Sequence, residues 1–212
     1  TPKPSSAASD VYKRQGSNIC FITEFYDRSI VSLKRMKKYI HLDKKYISCS
    51  SNISCTKLAR YLHDNKQPGY EFLYGIPGTI GGAVSMNAGA FEREIMPYVY
   101  SLDLLDENGT IYTLKNNEMS YSYRTSNINE KSIIISVNLF KQKTNFDMNL
   151  LNLLNRKRKI SQPINQLSCG CIFKNPSGDH AAKLIDSAQL KGSRAGGIYT
   201  VSYTHLRAHE TP

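Results

Sequence analysis

The chain has 212 residues, of which 40% are hydrophobic and 21% charged. This composition is typical of a globular protein and excludes a collagen-like or wholly disordered chain, and no run of about 18 apolar residues predicts a membrane-spanning helix. Lys and Arg number 28 against 17 Asp and Glu, a formal net charge of +11, which favours a polyanionic or phosphorylated partner unless it reflects compositional bias alone.

The two ends of the chain differ from its middle. Residues 1–15 and 203–212 lack an apolar period and resemble translated sequencing-adapter sequence. We therefore expect both ends to be artefactual tails on residues 16–202, a piece of a longer protein, although natural disordered tails are an alternative. No signal-peptide pattern opens the chain.

The five cysteines indicate neither a disulfide framework nor a metal site. Their number is odd and no C-x-x-C pair occurs among Cys20, Cys49, Cys55, Cys169 and Cys171. Reduced thiols in a cytoplasmic protein fit this pattern, and we predict no bound metal.

Short apolar runs in the first third of the chain predict strands at residues 18–23, 29–34 and 46–50. Residues 56–64 have apolar side chains at helical spacing, and Thr56 is the expected N-cap of that helix. The segment 65–68, which ends in proline, terminates it.

The remaining elements complete an α+β pattern. Strands are predicted at 98–105, 110–114 and 131–140, the first two joined by a hairpin turn at 106–109 with the sequence DENG. Helices are predicted at 147–159, with a stripe of leucines at 150, 151, 153 and 154, and at 181–189. A strand-like segment is expected at 169–176, and a change of composition at 141–146 indicates a domain boundary.

Residues 69–90 contain six of the 13 glycines. The segment is neither a G-x-G-x-x-G fingerprint in a strand–turn–helix context nor a Walker A loop, because no G-K-[ST] follows it. So many glycines indicate backbone that approaches a ligand closely, with N–H groups available to phosphate oxygens. A tight packing turn is the alternative.

Four motifs in order give the chain a family resemblance. They are GSN at 16–18, GIPGTIGGAVSMNAGAF at 75–91, YRTS at 123–126 and GCIFKNP at 170–176. Together they resemble the UDP-N-acetylenolpyruvoylglucosamine reductase (MurB) family of bacterial cell-wall precursor synthesis, over nearly all of residues 16–202.

The resemblance implies a fold and a reaction. The expected fold is a two-lobed FAD-binding domain of the vanillyl-alcohol-oxidase/PCMH type at 16–145, followed by a truncated α+β substrate domain at 146–202. The implied cofactors are FAD and NADPH, and the implied reaction reduces UDP-N-acetylglucosamine-enolpyruvate to UDP-N-acetylmuramate. The cofactor carries the hydride, and the protein supplies orientation, charge and a proton.

The resemblance also implies site residues. Arg124 would stabilise the developing negative charge of the substrate through parallel hydrogen bonds. Cys171 stands where the family more often has serine and would protonate the substrate carbon. Tyr123, Lys174 and Asn175 are expected substrate contacts. The expected FAD contacts are Gly16, Ser17, Asn18, Gly75, Ile76, Pro77, Gly78, Thr79, Gly81, Gly82 and Ala83.

Each assignment has a structural alternative. Arg124 and Lys174 could be solvated surface side chains, and Cys171 could be a small, inert buried residue. Because the start of the flavin loop and a C-terminal glutamate of the family are missing, we expect this chain to bind FAD weakly and not to complete the reaction.

Two other functions stay open at this point. One is a different FAD-dependent oxidoreductase with the same flavin fold, and the more distant one is a basic nucleic-acid-binding module. We predict a monomer that acts on a UDP-sugar and binds neither nucleic acid nor membrane.

Overall fold

The computed structural model describes residues 31–161, 173–195 and 198–199. The described strands β1 to β11 are, in chain order, Ile40–Leu42, Tyr46–Ser50, Gly89–Ala90, Arg93–Glu94, Val99–Leu105, Ile111–Lys115, Tyr121–Ser122, Thr125–Ser126, Ile133–Phe140, Arg194–Ala195 and Ile198–Tyr199. The described helices α1 to α4 are Cys55–Asp64, Ile80–Ser85, Leu150–Ser161 and Ala181–Ser187. Single 3-10 turns occur at Glu71–Leu73, Met96–Tyr98 and Asn116–Glu118.

The main sheet is antiparallel, with the strand order β1-β2-β9-β5-β6. Alternation of apolar residues sets its register, because Ile47 pairs with Leu139 and Leu102 with Val137, and all four are fully buried. The predicted hairpin turn joins β5 to β6, where Gly109 N–H donates to the carbonyl of Asp106 at 3.2 Å.

One hydrophobic core joins the sheet to the first two helices. Leu58 and Leu62 of α1 and Val84 of α2 are fully buried, in the same cluster as the inward-facing sheet residues. Burying each such side chain contributes about 1.5–3 kcal/mol. The α+β class predicted from the sequence is confirmed.

Helix α1 begins one residue earlier than the pattern predicts, and Thr56 is not its cap. Ser54 is the N-cap, and its Oγ accepts a hydrogen bond from Lys57 N–H at 3.2 Å. Thr56 lies inside the first turn, where its Oγ1 accepts from Gly75 N–H at 3.1 Å. Both hydroxyl side chains suit a cap, and the sequence pattern favours the wrong one.

The strand predicted at 29–34 is wrong for its described part. Residues 31–34 lead into a turn in which Met36 N–H donates to the Leu33 carbonyl at 3.0 Å. The buried Asn52 amide donates to the carbonyls of both residues, at 2.8 and 2.9 Å. A side chain therefore takes the place of a strand partner. The strand predicted at 18–23 lies outside the described residues.

Helix α3 is displaced towards the C-terminus from its predicted span. Asp147 precedes it and accepts a hydrogen bond from Asn149 N–H at 2.8 Å, so the helix starts at Leu150. The predicted leucine stripe is only partly correct, since Leu151 is buried and Leu153 is 48% exposed. The buried face carries Arg158 instead of a further leucine.

Two C-terminal predictions also have outcomes. Residues 173–176 are not a strand, and the rest of that predicted segment lies outside the described residues. The helix predicted at 181–189 is confirmed as α4, which ends two residues early. None of the helices that the structure describes is long and apolar enough to span a lipid bilayer.

Candidate functional site

The Gly-rich loop 75–83 is fastened by its main chain to residues 51–55. The Gly78 carbonyl accepts a hydrogen bond from that segment at 3.1 Å, and the N–H groups of Ile80 and Gly81 each donate to it at 2.8 Å. Buried backbone groups must be paired, and this pairing fixes the path of the loop.

The pairing leaves fewer donors than the sequence suggests. Thr79 caps α2, with its Oγ1 accepting from Gly82 N–H at 3.4 Å and its carbonyl from Ala83 N–H at 2.8 Å. Gly75 and Ile76 donate within the protein as well. Of the loop's N–H groups, those of Gly78 and Thr79 have no acceptor among the described residues, so these two are the ones left for the ligand that the sequence predicts.

A pocket of about 200 Å³ opens beside this loop. Its wall combines small and apolar residues with one arginine: Ile76, Pro77, Gly78, Thr79, Gly82, Ala83, Met86, Ala88, Gly89 and Arg124. Seven of them are predicted site residues. Two of the sequence motifs, more than thirty residues apart, therefore meet at one cavity.

Arg124 reaches the pocket from a hairpin turn. It follows Tyr123 between β7 and β8 and adopts a left-handed backbone with φ +56°, which costs a residue with a Cβ energy. Its guanidinium donates to the carbonyls of Asn87 and Gly89, both at 3.4 Å, and lies 4.9 Å from the Tyr123 ring centre. The predicted alternative of a fully solvated arginine is wrong, since the side chain is 23% exposed.

Glu94 of β4 is the carboxylate next to this guanidinium, with 3.9 Å between Oε1 and the nearer nitrogen of Arg124. Its other oxygen, Oε2, accepts a hydrogen bond from the Asn87 Nδ2 at 2.7 Å. Glu94 is about as exposed as the arginine.

Asn87 joins the elements around the pocket. It is fully buried, with φ +44°, and its Nδ2 donates both to Glu94 and to the Ser122 carbonyl, the latter at 2.9 Å. Its Oδ1 accepts from Met96 N–H at 3.2 Å. One side chain thus connects the β3–β4 hairpin, the turn that follows it and the β7–β8 hairpin.

Sequence reasoning missed Asn87, Glu94, Met86, Ala88 and Gly89 as site residues. A clue to Gly89 is its steric need, because a Cβ there would lie 2.1 Å from the Arg93 carbonyl oxygen. The polar Asn87 within an otherwise small and apolar run was the other available signal, since a buried amide needs partners.

Gly75 does not line the pocket but supports the loop from behind. Its φ is +83°, and a Cβ on it would lie 2.8 Å from Cδ of the buried Arg158. Burial lowers the pKa of Arg158 to about 10, so the guanidinium remains charged at neutral pH. The loop therefore rests on a buried cation from α3.

The C-terminal motif reaches the same hairpin through Lys174, whose Nζ donates to Thr125 Oγ1 at 3.1 Å. Asn175 is engaged locally, since its Oδ1 accepts from Ala181 N–H at 3.0 Å at the start of α4 and its Nδ2 lies 3.2 Å from the His180 ring.

Two predicted positions, Gly81 and Tyr123, lie next to the pocket but are not among its described lining residues. The others lie outside the described residues: Gly16, Ser17, Asn18 and Cys171.

A loop of small residues, two backbone donors with no acceptor in the described part of the chain and an arginine meet at one pocket, an arrangement typical of a nucleotide-cofactor-binding α+β domain. Comparison with known families agrees. The family model described as FAD binding domain matches residues 13–115. The model described as UDP-N-acetylenolpyruvoylglucosamine reductase, C-terminal domain, matches residues 162–208.

Individual relatives point to the same family. The UDP-N-acetylenolpyruvoylglucosamine reductase of Fusobacterium nucleatum is 35% identical over 181 residues, which cover 85% of this chain and 64% of the relative. That of Chlamydia felis is 36% identical over 184 residues, 86% of this chain and 62% of the relative. The crystal structure of the Thermus caldophilus MurB matches with a TM-score of 0.60 and 29% identity, covering 69% of this chain and 55% of that one.

The chain is similar to the UDP-N-acetylenolpyruvoylglucosamine reductase (MurB) family over 85% to 86% of its length. The resemblance seen in the sequence motifs is thereby confirmed, as is an FAD-binding domain followed by a domain of this family. The chain spans less than two thirds of the length of these relatives. The exact domain bounds and the assigned roles of the site residues stay predictions.

Proposed function

We propose that the chain carries the flavin-binding domain and part of the substrate domain of an NADPH-dependent reductase that converts UDP-N-acetylglucosamine-enolpyruvate to UDP-N-acetylmuramate. The observation that carries this proposal is the pocket in which loop 76–83 and Arg124 meet. Family relatives carrying the reductase name support the choice of substrate.

The described residues fit an FAD molecule. Gly82 and Ala83 leave room for a planar ring against the main chain, and Ile76 adds apolar surface. The N–H groups of Gly78 and Thr79 have no acceptor among the described residues and suit ring oxygens or a phosphate. When bound, the flavin accepts a hydride from NADPH and delivers it to the substrate.

The chain's own residues supply charge and a proton in this proposal. Arg124 binds the substrate carboxylate and stabilises the negative charge that develops there, as a positioned guanidinium does through parallel hydrogen bonds. Cys171 donates the proton to the substrate carbon, since a thiol, with a reference pKa of about 8.5, is a readier donor than an alcohol. Lys174 neutralises diphosphate charge as a cation beside the same hairpin.

Asn175 has a lesser part in substrate binding than its motif implies, because both polar ends of its side chain are already hydrogen-bonded around the start of α4. We infer that it orders the segment from which Lys174 extends.

We also place the protein in the bacterial cytoplasm, as a monomer without a nucleic-acid partner.

The pocket assignment is tested by titrating the chain with FAD and following flavin fluorescence. Ala83→Leu should fill the pocket wall and weaken FAD binding at least about tenfold, which corresponds to roughly 1.4 kcal/mol. Ala188→Leu, the same change at an exposed position after α4, is the matched control and should bind FAD like the parent chain. Circular dichroism confirms that both variants fold.

The reaction is tested with NADPH and excess FAD. In a protein extended to the full length of these relatives, consumption of NADPH should require UDP-N-acetylglucosamine-enolpyruvate, and Cys171→Ala should stop turnover while leaving flavin reduction intact. If Ala83→Leu bound FAD as tightly as the parent chain, the assignment of the flavin to this pocket would be wrong. Normal turnover by Cys171→Ala would show that Cys171 is not the proton donor. Turnover of a substrate without a sugar would favour a different FAD-dependent oxidoreductase.

A further inference from the structure

Glu94 stands beside Arg124, the arginine among the described lining residues of the pocket, and is part of no sequence motif assigned above. Its Oε1 lies 3.9 Å from Arg124, and the two side chains are 30% and 23% exposed. A carboxylate at this position would interact with the same guanidinium that is proposed to bind the substrate anion.

The contact between them is long. A bidentate arginine–carboxylate pair has nitrogen–oxygen distances of about 2.7–2.9 Å. The Glu94 contact is about an ångström longer, and the two carbonyl contacts of Arg124 measure 3.4 Å each. An incoming carboxylate in the pocket can therefore offer Arg124 shorter hydrogen bonds than these three contacts do.

Glu94 itself is held by a different residue. Asn87 is fully buried and donates to Glu94 Oε2 at 2.7 Å, and it is fixed in turn by its bonds to Ser122 and Met96. The carboxylate therefore keeps its place whether or not the guanidinium stays beside it. Arg124 also has the Tyr123 ring and two carbonyls to orient it, so its aim does not depend on Glu94.

We propose that Glu94 is an internal counter-carboxylate that competes with the carboxylate of a ligand for Arg124. It lowers the affinity of the pocket for anions. It thereby sets how much the carboxylate of a ligand contributes to the preference for that ligand. This inference rests on the proposed function for the identity of that ligand, the enolpyruvyl carboxylate. It makes Glu94 a specificity residue rather than a catalytic one.

The test compares two ligands that differ in the carboxylate-bearing group. Isothermal titration measures Kd for UDP-N-acetylglucosamine-enolpyruvate and for UDP-N-acetylglucosamine, and the ratio of the two isolates the contribution of the enolpyruvyl group. Glu94→Gln keeps the size and the acceptor for Asn87 but removes the charge. We expect it to raise the preference for the carboxylate ligand about threefold to fivefold, the range of a partly exposed ion pair.

Glu92→Gln is the matched control. Glu92 is exposed in the same hairpin turn, two residues from Glu94, so this change removes the same charge from the neighbourhood without touching the Arg124 contact. It should leave the ligand ratio unchanged. An equal rise in both variants would reduce the effect to general electrostatics and overturn the proposal, as would a ratio that stays the same or falls in Glu94→Gln.

A second readout is independent of the ligand. Phenylglyoxal reacts with the guanidinium nitrogens, and the Glu94 carboxylate lies beside one of them at 3.9 Å. Removing this partner in Glu94→Gln should speed modification of Arg124 about threefold, measured by peptide mass spectrometry, and Glu92→Gln should leave the rate unchanged. If the parent chain shows no preference between the two ligands, the proposed substrate is wrong and this rate alone decides the inference. Should Glu94→Gln fail to fold, Glu94→Asp withdraws the charge by one methylene and carries the same expectation. An unaltered rate would overturn the proposal.

Discussion

Replacing Asn87 with alanine should destabilise the chain more than any other single truncation at the pocket. The Asn87 side chain is fully buried and makes three hydrogen bonds, to Glu94, to the Ser122 carbonyl and from Met96 N–H. The substitution removes all three at once. It leaves the buried Met96 N–H without its acceptor. It also puts alanine, which has a Cβ but no polar side-chain group, at φ +44°.

The expected loss can be worked from these contacts. Each neutral hydrogen bond contributes about 0.5–1.5 kcal/mol, and the bond to the Glu94 carboxylate about 1.5–3 kcal/mol. Alanine in the left-handed region adds roughly 1 kcal/mol, because asparagine tolerates that conformation better. Allowing for relaxation, Asn87→Ala should lower the free energy of unfolding by about 4 kcal/mol. Domains of this kind have only about 5–15 kcal/mol in total.

Urea unfolding followed by far-ultraviolet circular dichroism measures this loss as a shift of the midpoint at constant slope. Asn87→Gly should lose about 1 kcal/mol less, since glycine adopts a positive φ freely. Asn108→Ala, at an exposed turn position, should change stability by under about 0.5 kcal/mol. A parent-like midpoint for Asn87→Ala would mean that the three bonds do not form in solution.

Two further predictions concern the surroundings of the loop. Gly75→Ala should lower the free energy of unfolding by about 2 kcal/mol more than Gly109→Ala in the same urea assay: both glycines have φ +83°, but only at Gly75 does a Cβ meet Arg158, at 2.8 Å, whereas nothing lies within 4 Å at Gly109. Equal losses of unfolding free energy in the two variants would show that the Arg158 side chain moves away from the new Cβ at no measurable cost. Burial raises the pKa of the Cys49 and Cys55 thiols from 9.0 to about 12. Between these pH values the unfolded chain releases thiol protons that the folded chain keeps, so stability should fall as pH rises above about 9, by up to about 1.4 kcal/mol per unit and thiol. The same melts on the Cys49→Ala, Cys55→Ala double variant should show a shallower decline, and an identical slope would contradict the assignment.

The sheet and its helices were largely predictable because their signals are local. Short apolar runs indicate β2, β5 and β9, and the DENG turn indicates the pairing of β5 with β6. The errors arise where a distant side chain decides. Residues 31–34 do not form a strand, and the segment is held instead by Asn52, whose amide donates to the carbonyls of Leu33 and Met36, nineteen and sixteen positions away, a contact that no local pattern reveals.

The candidate site divides in the same way. Its motif residues were found because loop 75–83 and Arg124 belong to recognisable strings. Their setting was not found, since Glu94 is distinguished only by its distance to Arg124, and the hydrogen-bond partners of Asn87 lie up to 35 positions away in the sequence. Thr56 shows the limit of a local rule: it has the chemistry of a cap, but its hydroxyl belongs to Gly75.

The left-handed backbone at the pocket gives a physical reason to treat these residues as one unit. Asn87 at φ +44° and Arg124 at φ +56° both occupy a conformation that glycine would adopt without strain. Glycine could not supply the amide that fixes Glu94, nor the guanidinium that faces the pocket. Strain of this kind persists only where the surrounding contacts outweigh it. Here the two strained residues contact the same group of side chains, because Asn87 donates to the Glu94 carboxylate and its carbonyl accepts a hydrogen bond from Arg124. Loosening Asn87 should therefore disturb the aim of Arg124 before it disturbs the sheet behind the pocket.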